Sequence, residues 1–173
     1  MHLGERFESY TKKGKQYLVK TNKSEYLVDM LVGSDGPRSA VAKAAGILGE
    51  RRYIKGWQAR VKMKGLEEGV TVVHLNLGEF SWIVPETKDI ARVGVLGDDS
   101  AQLKKDYMKI LGDAEILEDQ SGTIPLYNPK QQLRKQGEEI YLLGDAATQV
   151  KATTYGGIIY GMLAGTYLSE EPH

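Results

Sequence analysis

Two short segments of the chain place a carboxylate directly after an apolar run. One is Leu31-Val32-Gly33-Ser34-Asp35-Gly36, and the other is Leu142-Leu143-Gly144-Asp145-Ala146. In open α/β sheets, ligands bind at the carboxyl ends of such strands. A carboxylate there can accept hydrogen bonds from ligand hydroxyls, and small neighbours let the backbone approach a ligand closely. The two turns are therefore candidate binding segments, but the segment 34–37, Ser-Asp-Gly-Pro, is also an ordinary helix-capping turn.

A third segment, Thr153-Thr154-Tyr155-Gly156-Gly157-Ile158, follows the second turn closely. Its composition predicts a glycine-rich loop that opens a helix running to about Ser169. The N-terminus of a helix offers free N–H groups and positive potential to an anionic oxygen. Together the three segments indicate a ligand site far more specifically than any one of them does.

These segments resemble the geranylgeranyl reductase family, which belongs to the FAD-dependent oxidoreductases of the p-hydroxybenzoate hydroxylase type. The second flavin motif of that superfamily matches Asp29 to Ser39, and the third matches Gly144 to Gly161. The segment 149–154 resembles the reductases more than the hydroxylases. So does Phe80-x-Trp82-x-Val84-Pro85, which is similar to an aromatic signature on the substrate-domain sheet of the reductases.

The resemblance implies a flavoprotein in isoprenoid lipid biosynthesis, in which reduced FAD passes a hydride to a carbon–carbon double bond of a geranylgeranyl chain on a prenyl lipid. Asp145 would bind ribityl or pyrophosphate-side hydroxyls, and the N–H groups of residues 156–158 would face the pyrimidine edge of the flavin. The implied cofactor-binding residues are Asp35, Gly36, Gly144, Asp145, Gly156, Gly157 and Ile158. The implied substrate-binding residues are Phe80, Trp82, Pro85 and Tyr155. No catalytic residue is assigned, because Tyr155 is the one nearby candidate proton donor and a lone tyrosine is more often a packing residue.

The chain departs from the family at several positions. Ala152 stands where the reductases usually have proline, and Thr148 and Tyr155 stand where they usually have glycine. The family's first motif, the Gly-x-Gly-x-x-Gly turn that holds the ADP pyrophosphate, is not found in the 173 residues. We therefore expect a truncated portion of a reductase that binds FAD weakly or not at all alone. A missing N-terminal FAD-binding segment or a partner chain would complete the site.

Two other functions remain open from the sequence. An FAD-dependent aromatic monooxygenase or halogenase would use a related fold, although the segment 149–154 and the Trp82 signature favour a reductase. A non-catalytic lipid- or partner-binding relic would keep the flavin motifs without the reaction, and the absence of the first motif is consistent with that hypothesis.

Composition excludes several classes of protein. Lys plus Arg and Asp plus Glu are 23 each, so the net charge of zero argues against a nucleic-acid binder. No cysteine is present, and the histidines at 2, 74 and 173 have no metal-ligand spacing, so no metal site is expected. The sequence contains neither a membrane-spanning run nor a signal peptide, which predicts a cytoplasmic protein with at most peripheral membrane contact. Five lysines between residues 12 and 23 are expected to form a solvated hairpin face or, alternatively, a lipid-headgroup or phosphate patch.

The order of elements and the resemblance imply an α+β fold. An antiparallel substrate-domain sheet with a helix is flanked by incomplete pieces of a Rossmann-like FAD-binding domain. We expect residues 1–50 to form a partial FAD-binding segment, 51–135 the substrate-binding sheet, and 136–173 the FAD-binding segment with the Gly-Asp motif.

Local patterns predict the elements themselves. The run 26–32 is almost continuously apolar, as expected of a strand buried on both faces. Pro37 is expected at the first position of a helix that Ser34 or Asp35 caps and that Gly46 ends. The other predicted elements are strands 16–21, 57–64, 70–77, 80–85, 90–95 and 139–143, and a helix over 100–112.

In the middle of the chain, strands 57–64 and 70–77 are predicted to form a hairpin that begins an antiparallel meander. Within the second of them, Val73, Leu75 and Leu77 are expected to share one face, and Val72, His74 and Asn76 the other. In the helix over 100–112, the apolar residues at 103, 107, 110 and 111 are expected to form one stripe.

Overall fold

The computed structural model describes residues 2–170, so His173 lies outside the described residues. In chain order the elements are β1 Phe7–Lys13, β2 Gln16–Thr21, β3 Glu25–Val28, β4 Leu31–Gly33, α1 Ala40–Ala45, β5 Tyr53–Lys62, β6 Val72–His74, β7 Phe80–Pro85, β8 Ile90–Gly97, α2 Ser100–Leu111, β9 Glu115–Pro125, β10 Ile140–Leu142 and α3 Ile158–Glu170. A 3-10 turn covers Gly144–Ala147. The mixture of helices with largely antiparallel sheets confirms the α+β class.

The chain divides into two compact units. One consists of the residues up to Arg52 together with those from Pro125 onward, and the other is Tyr53–Ile124. Below they are called the discontinuous unit and the central unit. The predicted three-segment assignment to domains of a longer enzyme stays a prediction.

The discontinuous unit contains an antiparallel sheet, β1-β2-β3, and a two-stranded parallel sheet, β10-β4. The prediction of one strand over 26–32, buried on both faces, was wrong. Its first half, β3, pairs with β2, whereas its second half, β4, pairs with β10. Leu27 is 57% exposed and Val32 is 37% exposed. The two halves of the run thus belong to different sheets. An apolar pattern does not indicate which distant strand each half will pair with.

Helix α1 begins later than the sequence predicted. Ser39 is its N-cap, and the Ser39 hydroxyl accepts a hydrogen bond from Ala42 N. Pro37 lies in the preceding turn, closed by a bond from Ser39 N to Gly36 O, so its expected place as the first helical residue was wrong. The predicted stop is confirmed, because Gly46 ends the helix with a left-handed φ of 71°.

The central unit contains a five-stranded sheet in the order β6-β7-β8-β5-β9. The predicted hairpin between 57–64 and 70–77 was wrong, because β5 pairs with β8 and not with β6. The β5–β8 pairing joins eight residue pairs and buries Ala59 and Val61, which the three-residue β6 has no length to do. Strand β9 was not predicted, since most of its residues are exposed and show no apolar alternation.

The predicted alternation over 70–77 holds for three residues only. Strand β6 ends at His74 and the chain then turns, so the two-residue period stops there. Val73 is 51% exposed and Leu75 is 81% exposed, whereas Leu77 is buried. The expected shared apolar face was therefore wrong.

Helix α2 closes the core of the central unit as predicted. Leu103, Tyr107, Ile110 and Leu111 are all buried and belong to the same cluster as the inward side chains of β5 and β8. Asp99 caps the helix by accepting hydrogen bonds from Ala101 N and Gln102 N. Those two bonds, chiefly the one from Gln102, lower the pKa of the Asp99 carboxyl.

Helix α3 is different, because none of its residues is buried. Its first eleven residues, Ile158 to Leu168, carry no charge, yet Ile158 is 80% exposed and Met162 is 69% exposed. Among residues 2–170, no helix combines the length and the apolar content that crossing a bilayer requires.

Candidate cofactor site and aromatic sheet face

The structure brings the two carboxylate turns side by side. Strands β4 and β10 are parallel neighbours, with Gly33 opposite Leu142 at their carboxyl ends. Just beyond that pair, Leu143 N donates to Gly33 O over 2.9 Å. Because the two strands run in the same direction, Asp35 and Asp145 both follow the same edge of the sheet, where ligands bind in open α/β sheets.

The Asp35 carboxylate is engaged by helix α1. Its Oδ1 accepts a hydrogen bond from the Ser39 hydroxyl at 2.5 Å, and its Oδ2 accepts from Ala40 N at 2.6 Å and Val41 N at 3.1 Å. The helix-capping interpretation of this turn is therefore realised in the structure. Gly36 beside it has a φ of 86° and open space where a Cβ would lie. A cofactor contact by either residue stays a prediction.

The Asp145 carboxylate is in the opposite situation. It is partly buried, and desolvation raises its pKa above the ordinary value. No residue within the described 2–170 donates a hydrogen bond to it. Gly157 lies directly against it, since a Cβ on Gly157 would be 2.8 Å from Asp145 Oδ1. The start of α3 can therefore approach this carboxylate only because residue 157 is glycine.

The 3-10 turn holds the start of α3 at close range. Gly144 has a φ of 60°, and its N–H donates to Gln149 Oε1 at 2.7 Å. On α3, a Cβ at Gly161 would be 3.3 Å from Gly144 Cα. Gly144, Gly157 and Gly161 thus let the turn and the helix approach each other. The sequence did not indicate the anchoring role of Gln149, which depends on this three-dimensional return of the chain.

Thr148 and Tyr155, the two positions where the resemblance implies glycine, both have positive φ. Thr148 has a φ of 54° and Tyr155 a φ of 58°, a left-handed conformation that side chains with a Cβ adopt at a cost. Thr148 is fully buried, and its Oγ1 accepts a hydrogen bond from Asn128 N at 3.2 Å. The loop between the two residues is therefore held at both ends by backbone that glycine would adopt more easily.

The predicted aromatic residues of the central unit share one sheet face. Phe80 and Trp82 alternate along β7, and their ring centroids are 5.7 Å apart. Trp82 Nε1 donates to Gln58 Oε1 at 3.1 Å. The indole lies over Gly94 on β8, where a Cβ would be 2.2 Å from Trp82 Cζ2. By strand alternation, Pro85 belongs to the opposite face.

This aromatic face continues into a charged cluster. Glu86 accepts from Arg60 Nε at 2.6 Å and from Arg92 Nε at 2.7 Å. The hydrogen bond from Arg60, followed by the charges of both arginines, lowers the pKa of the Glu86 carboxyl. The face therefore offers an apolar ring surface beside fixed charges. Arg60, Glu86 and Arg92 were not predicted from the sequence. The two-residue alternation of β5 and β8 could have predicted which sheet face the two arginines share.

The remaining predicted residues lie in the discontinuous unit. Gly156 and Ile158 flank Gly157 at the start of α3, and Gly156 O accepts from Lys151 N at 3.0 Å. Tyr155 lines a cavity in that unit, together with Arg52 and Lys130. The structure thus gathers Gly144, Asp145 and residues 156–158 around one turn. Phe80 and Trp82 form a separate group in the central unit.

No protein-family model matches the chain. Among curated relatives, digeranylgeranylglycerophospholipid reductase 1 of Methanococcoides burtonii is 27% identical over 175 residues, covering 91% of this chain and 40% of the relative. Among solved structures, a geranylgeranyl bacteriochlorophyll reductase-like protein from Thermoplasma acidophilum has a TM-score of 0.80 at 20% identity, over 96% of this chain and 47% of that one. The flavin-dependent halogenase CmlS has a TM-score of 0.64 at 15% identity, over 95% and 35%.

The chain therefore has the fold of part of the reductase-like and halogenase structures. In sequence, the chain is similar to proteins named digeranylgeranylglycerophospholipid reductase, which confirms the resemblance found in its motifs. The chain spans about two fifths of the length of the curated relatives that it matches.

Proposed function

We propose that this chain is part of an FAD-dependent reductase that saturates double bonds in the isoprenoid chain of a prenyl lipid. Within that reductase, the chain would bind the flavin end of the cofactor. The observation that carries the proposal is the pairing of β4 with β10, which puts the two flavin-motif turns at one sheet edge. The reductase names of the sequence relatives support the choice of reaction.

The residues around Asp145 fit the ribityl side of FAD. Asp145 is a partly buried carboxylate that accepts no hydrogen bond from residues 2–170, and Gly157 keeps the space beside it free of side-chain atoms. The carboxylate would accept hydrogen bonds from ribityl hydroxyls. The N–H groups at the start of α3 have no partner within the helix and would donate to the pyrimidine edge of the flavin. Asp35 would act indirectly, by holding α1 and the Gly36 turn in place.

When bound and reduced, FAD supplies the hydride for the double bond. The protein's task is to orient the lipid and exclude water. Phe80 and Trp82 would supply the apolar wall, since their rings form one continuous surface and the Trp82 N–H is already satisfied by Gln58. No side chain is assigned as the proton donor.

The adenosine half of FAD would be bound by a segment outside these 173 residues, either in a longer protein or in a partner chain. Two features support this part of the proposal. Within residues 2–170, the parallel sheet has two strands only, whereas sheets commonly have about four to six strands and parallel ones are covered on both faces. Helix α3 is apolar but buries none of its side chains.

A titration of the purified chain with FAD tests the proposal, read by the visible flavin band and by the melting temperature. We expect weak but saturable binding that Asp145→Ala abolishes. Asp113→Ala, which removes an exposed carboxylate of the central unit, should bind like the parent. Equal binding by Asp145→Ala would overturn the assigned cofactor site. Tight stoichiometric binding of FAD by the chain alone would contradict the proposal that another segment binds the adenosine half.

An FAD-dependent monooxygenase or halogenase is the second candidate. The halogenase CmlS supports it by sharing the fold, although its TM-score of 0.64 is lower than the 0.80 of the reductase-like protein. A flavin-loaded assembly that is reduced with dithionite and then supplied with a geranylgeranyl lipid under anaerobic conditions distinguishes the two. A reductase lowers the number of double bonds without oxygen, whereas a monooxygenase or halogenase produces nothing. A non-catalytic role as a lipid- or partner-binding module predicts lipid binding with no change in the lipid.

A further inference from the structure

Arg51 lies between α1 and β5, and its guanidinium donates to backbone carbonyls of three separate segments. Its Nε donates to Leu48 O at 2.7 Å, just after α1, and its Nη1 donates to Pro37 O at 2.9 Å, in the turn before α1. Its Nη2 donates to Ala146 O at 2.6 Å, in the 3-10 turn that contains Asp145. One side chain therefore bonds to both carboxylate turns of the discontinuous unit.

The carbonyl of Ala146 needs a donor from the protein itself. Ala146 is 0% exposed, so water does not reach its carbonyl oxygen, and a buried carbonyl without a donor is unfavourable. The bond from Arg51 satisfies this oxygen. Because its donor is charged, the bond is also stronger than one between neutral groups. The contact between the two turns is therefore costly to break.

The three contacts of Arg51 depend on the planar fork of its guanidinium. The fork holds donors on three nitrogens in fixed directions, and here each nitrogen serves a different carbonyl. A lysine ammonium has the same charge but carries all its donors on one atom. We therefore do not expect a lysine at this position to reach all three carbonyls.

Asn128 anchors the segment that carries Arg51. Its Nδ2 donates to Glu50 O at 3.1 Å, and its backbone N–H donates to Thr148 Oγ1 at 3.2 Å. Thr148 directly follows the 3-10 turn. Asn128 thus links this segment to the second carboxylate turn, whereas Arg51 links it to both turns.

We propose that Arg51 is a positioning residue of the candidate cofactor site, which fixes the separation between the Asp35 and Asp145 turns so that one ligand can meet both. The pairing of β4 with β10 brings the turns to one edge, but its last bond, from Leu143 N to Gly33 O, precedes both carboxylates. Beyond that bond, Arg51 joins the turns directly. The inference rests on the proposed function for the identity of the ligand.

Hydrogen exchange of the chain without FAD tests the positioning. In Arg51→Lys, we expect amides in peptides covering residues 31–41 and 143–149 to exchange roughly tenfold faster, because the turns open more often. Amides of β1 and β2, in the same unit, should exchange as in the parent. Unchanged exchange at both turns would overturn the proposal. Equal acceleration throughout the unit would also overturn it, since that result describes a general loss of stability.

Two further variants control this experiment. Arg6→Lys should change nothing, because Arg6 is exposed and its side chain forms no hydrogen bond within residues 2–170. Asn128→Ala should accelerate exchange over 143–149 and leave 31–41 unchanged, since Asn128 is linked to the second turn. Acceleration at both turns in Asn128→Ala would mean that the turns open together whatever holds them, and would overturn the role of Arg51.

The affinity for FAD separates positioning from general support. Arg51→Lys should weaken FAD roughly fivefold or more, and Arg6→Lys should not. The loss should be smaller in the background of Asp145→Asn, because Arg51 acts through the position of that carboxylate. Equal losses in both backgrounds would mean that Arg51 acts independently of Asp145, and would overturn the proposal.

The two measurements fail independently of each other. Faster exchange at both turns of Arg51→Lys, with no FAD bound by the parent, supports the role of Arg51 and contradicts the proposed function. FAD that binds the parent and is lost in Asp145→Ala, with exchange unchanged in Arg51→Lys, does the reverse.

Discussion

Helices α2 and α3 have nearly the same length, 12 and 13 residues, but opposite relations to the molecule. Helix α2 carries charges on one side and buries five residues against the central sheet. Helix α3 has one charged residue, Glu170, and none of its residues is buried. The difference shows that α2 packs into the core of the central unit, whereas the apolar side chains of α3 in the discontinuous unit remain exposed to solvent.

The largest effect is expected in the core of the central unit. Leu103→Ala should lower the free energy of unfolding by about 2–5 kcal/mol, because Leu103 is 1% exposed and its removal leaves a cavity. Met162→Ala on α3 should change it by less than about 0.5 kcal/mol, since that side chain is 69% exposed. Urea denaturation measures both. A comparable loss in Met162→Ala would contradict the contrast between the helices.

The next effect concerns the aromatic face. Gly94→Ala should cost about 1–3 kcal/mol, because a Cβ there would be 2.2 Å from the Trp82 ring and the indole must move. Tryptophan emission should shift with it, since the Trp82 N–H leaves Gln58. Gly122→Ala is the control, as a Cβ at Gly122 meets no atom within 4 Å. An unchanged emission spectrum in Gly94→Ala would contradict the placement of Trp82.

The two carboxylates at the parallel sheet edge should respond in opposite directions. Asp35→Ala should lower stability by about 1 kcal/mol, because the carboxylate caps α1 through two backbone N–H groups and the Ser39 hydroxyl. Asp35→Asn keeps an acceptor oxygen and should lose less. Thermal and urea unfolding of both variants provide the measurement. No loss in either variant would mean that the cap contributes nothing.

Asp145→Asn should instead raise stability at neutral pH. Burial raises the pKa of the folded Asp145 above its ordinary value of 3.8, so the folded protein holds this proton more tightly than the unfolded chain does. The free energy of unfolding that Asp145 contributes therefore falls as the pH rises from 3.8 through the raised pKa. The advantage of the variant should shrink as the pH is lowered through that window, in urea melts compared with Asp113→Asn. An advantage that stays constant with pH would argue against a desolvated carboxylate.

Patterns with local causes could be predicted from the sequence. The stripe of Leu103 and Tyr107 on α2 follows from helical periodicity, and the stop at Gly46 from the left-handed backbone that glycine allows. The candidate turns at Asp35 and Asp145 were also found in this way. Their surroundings differ, however, because the Asp35 carboxylate accepts from N–H groups of α1 whereas the Asp145 carboxylate lies against Gly157, and neither contact can be predicted from the turn itself.

Strand pairing could not be predicted, because it depends on which distant segments are available. The run 26–32 was divided between two sheets, and β5 paired with β8 and not with its neighbour in sequence. Strand β9 left no periodic pattern, since its exposed residues are not selected for a core. The Glu86 cluster likewise needed three strands to come together before its charges could meet.

By itself, the sequence determined the flavin-type motifs, the α+β class and the chemical types at the candidate site, because each depends on residues a few positions apart. The tertiary structure alone decided that Gly33 and Leu142, more than a hundred residues apart, would pair in parallel and bring both carboxylate turns to one edge. It also decided that Arg51 would bond to carbonyls in both turns. The physical reason is that hydrogen bonding between strands and the burial of apolar surface act between segments that are distant in the chain, and local patterns do not name the partner.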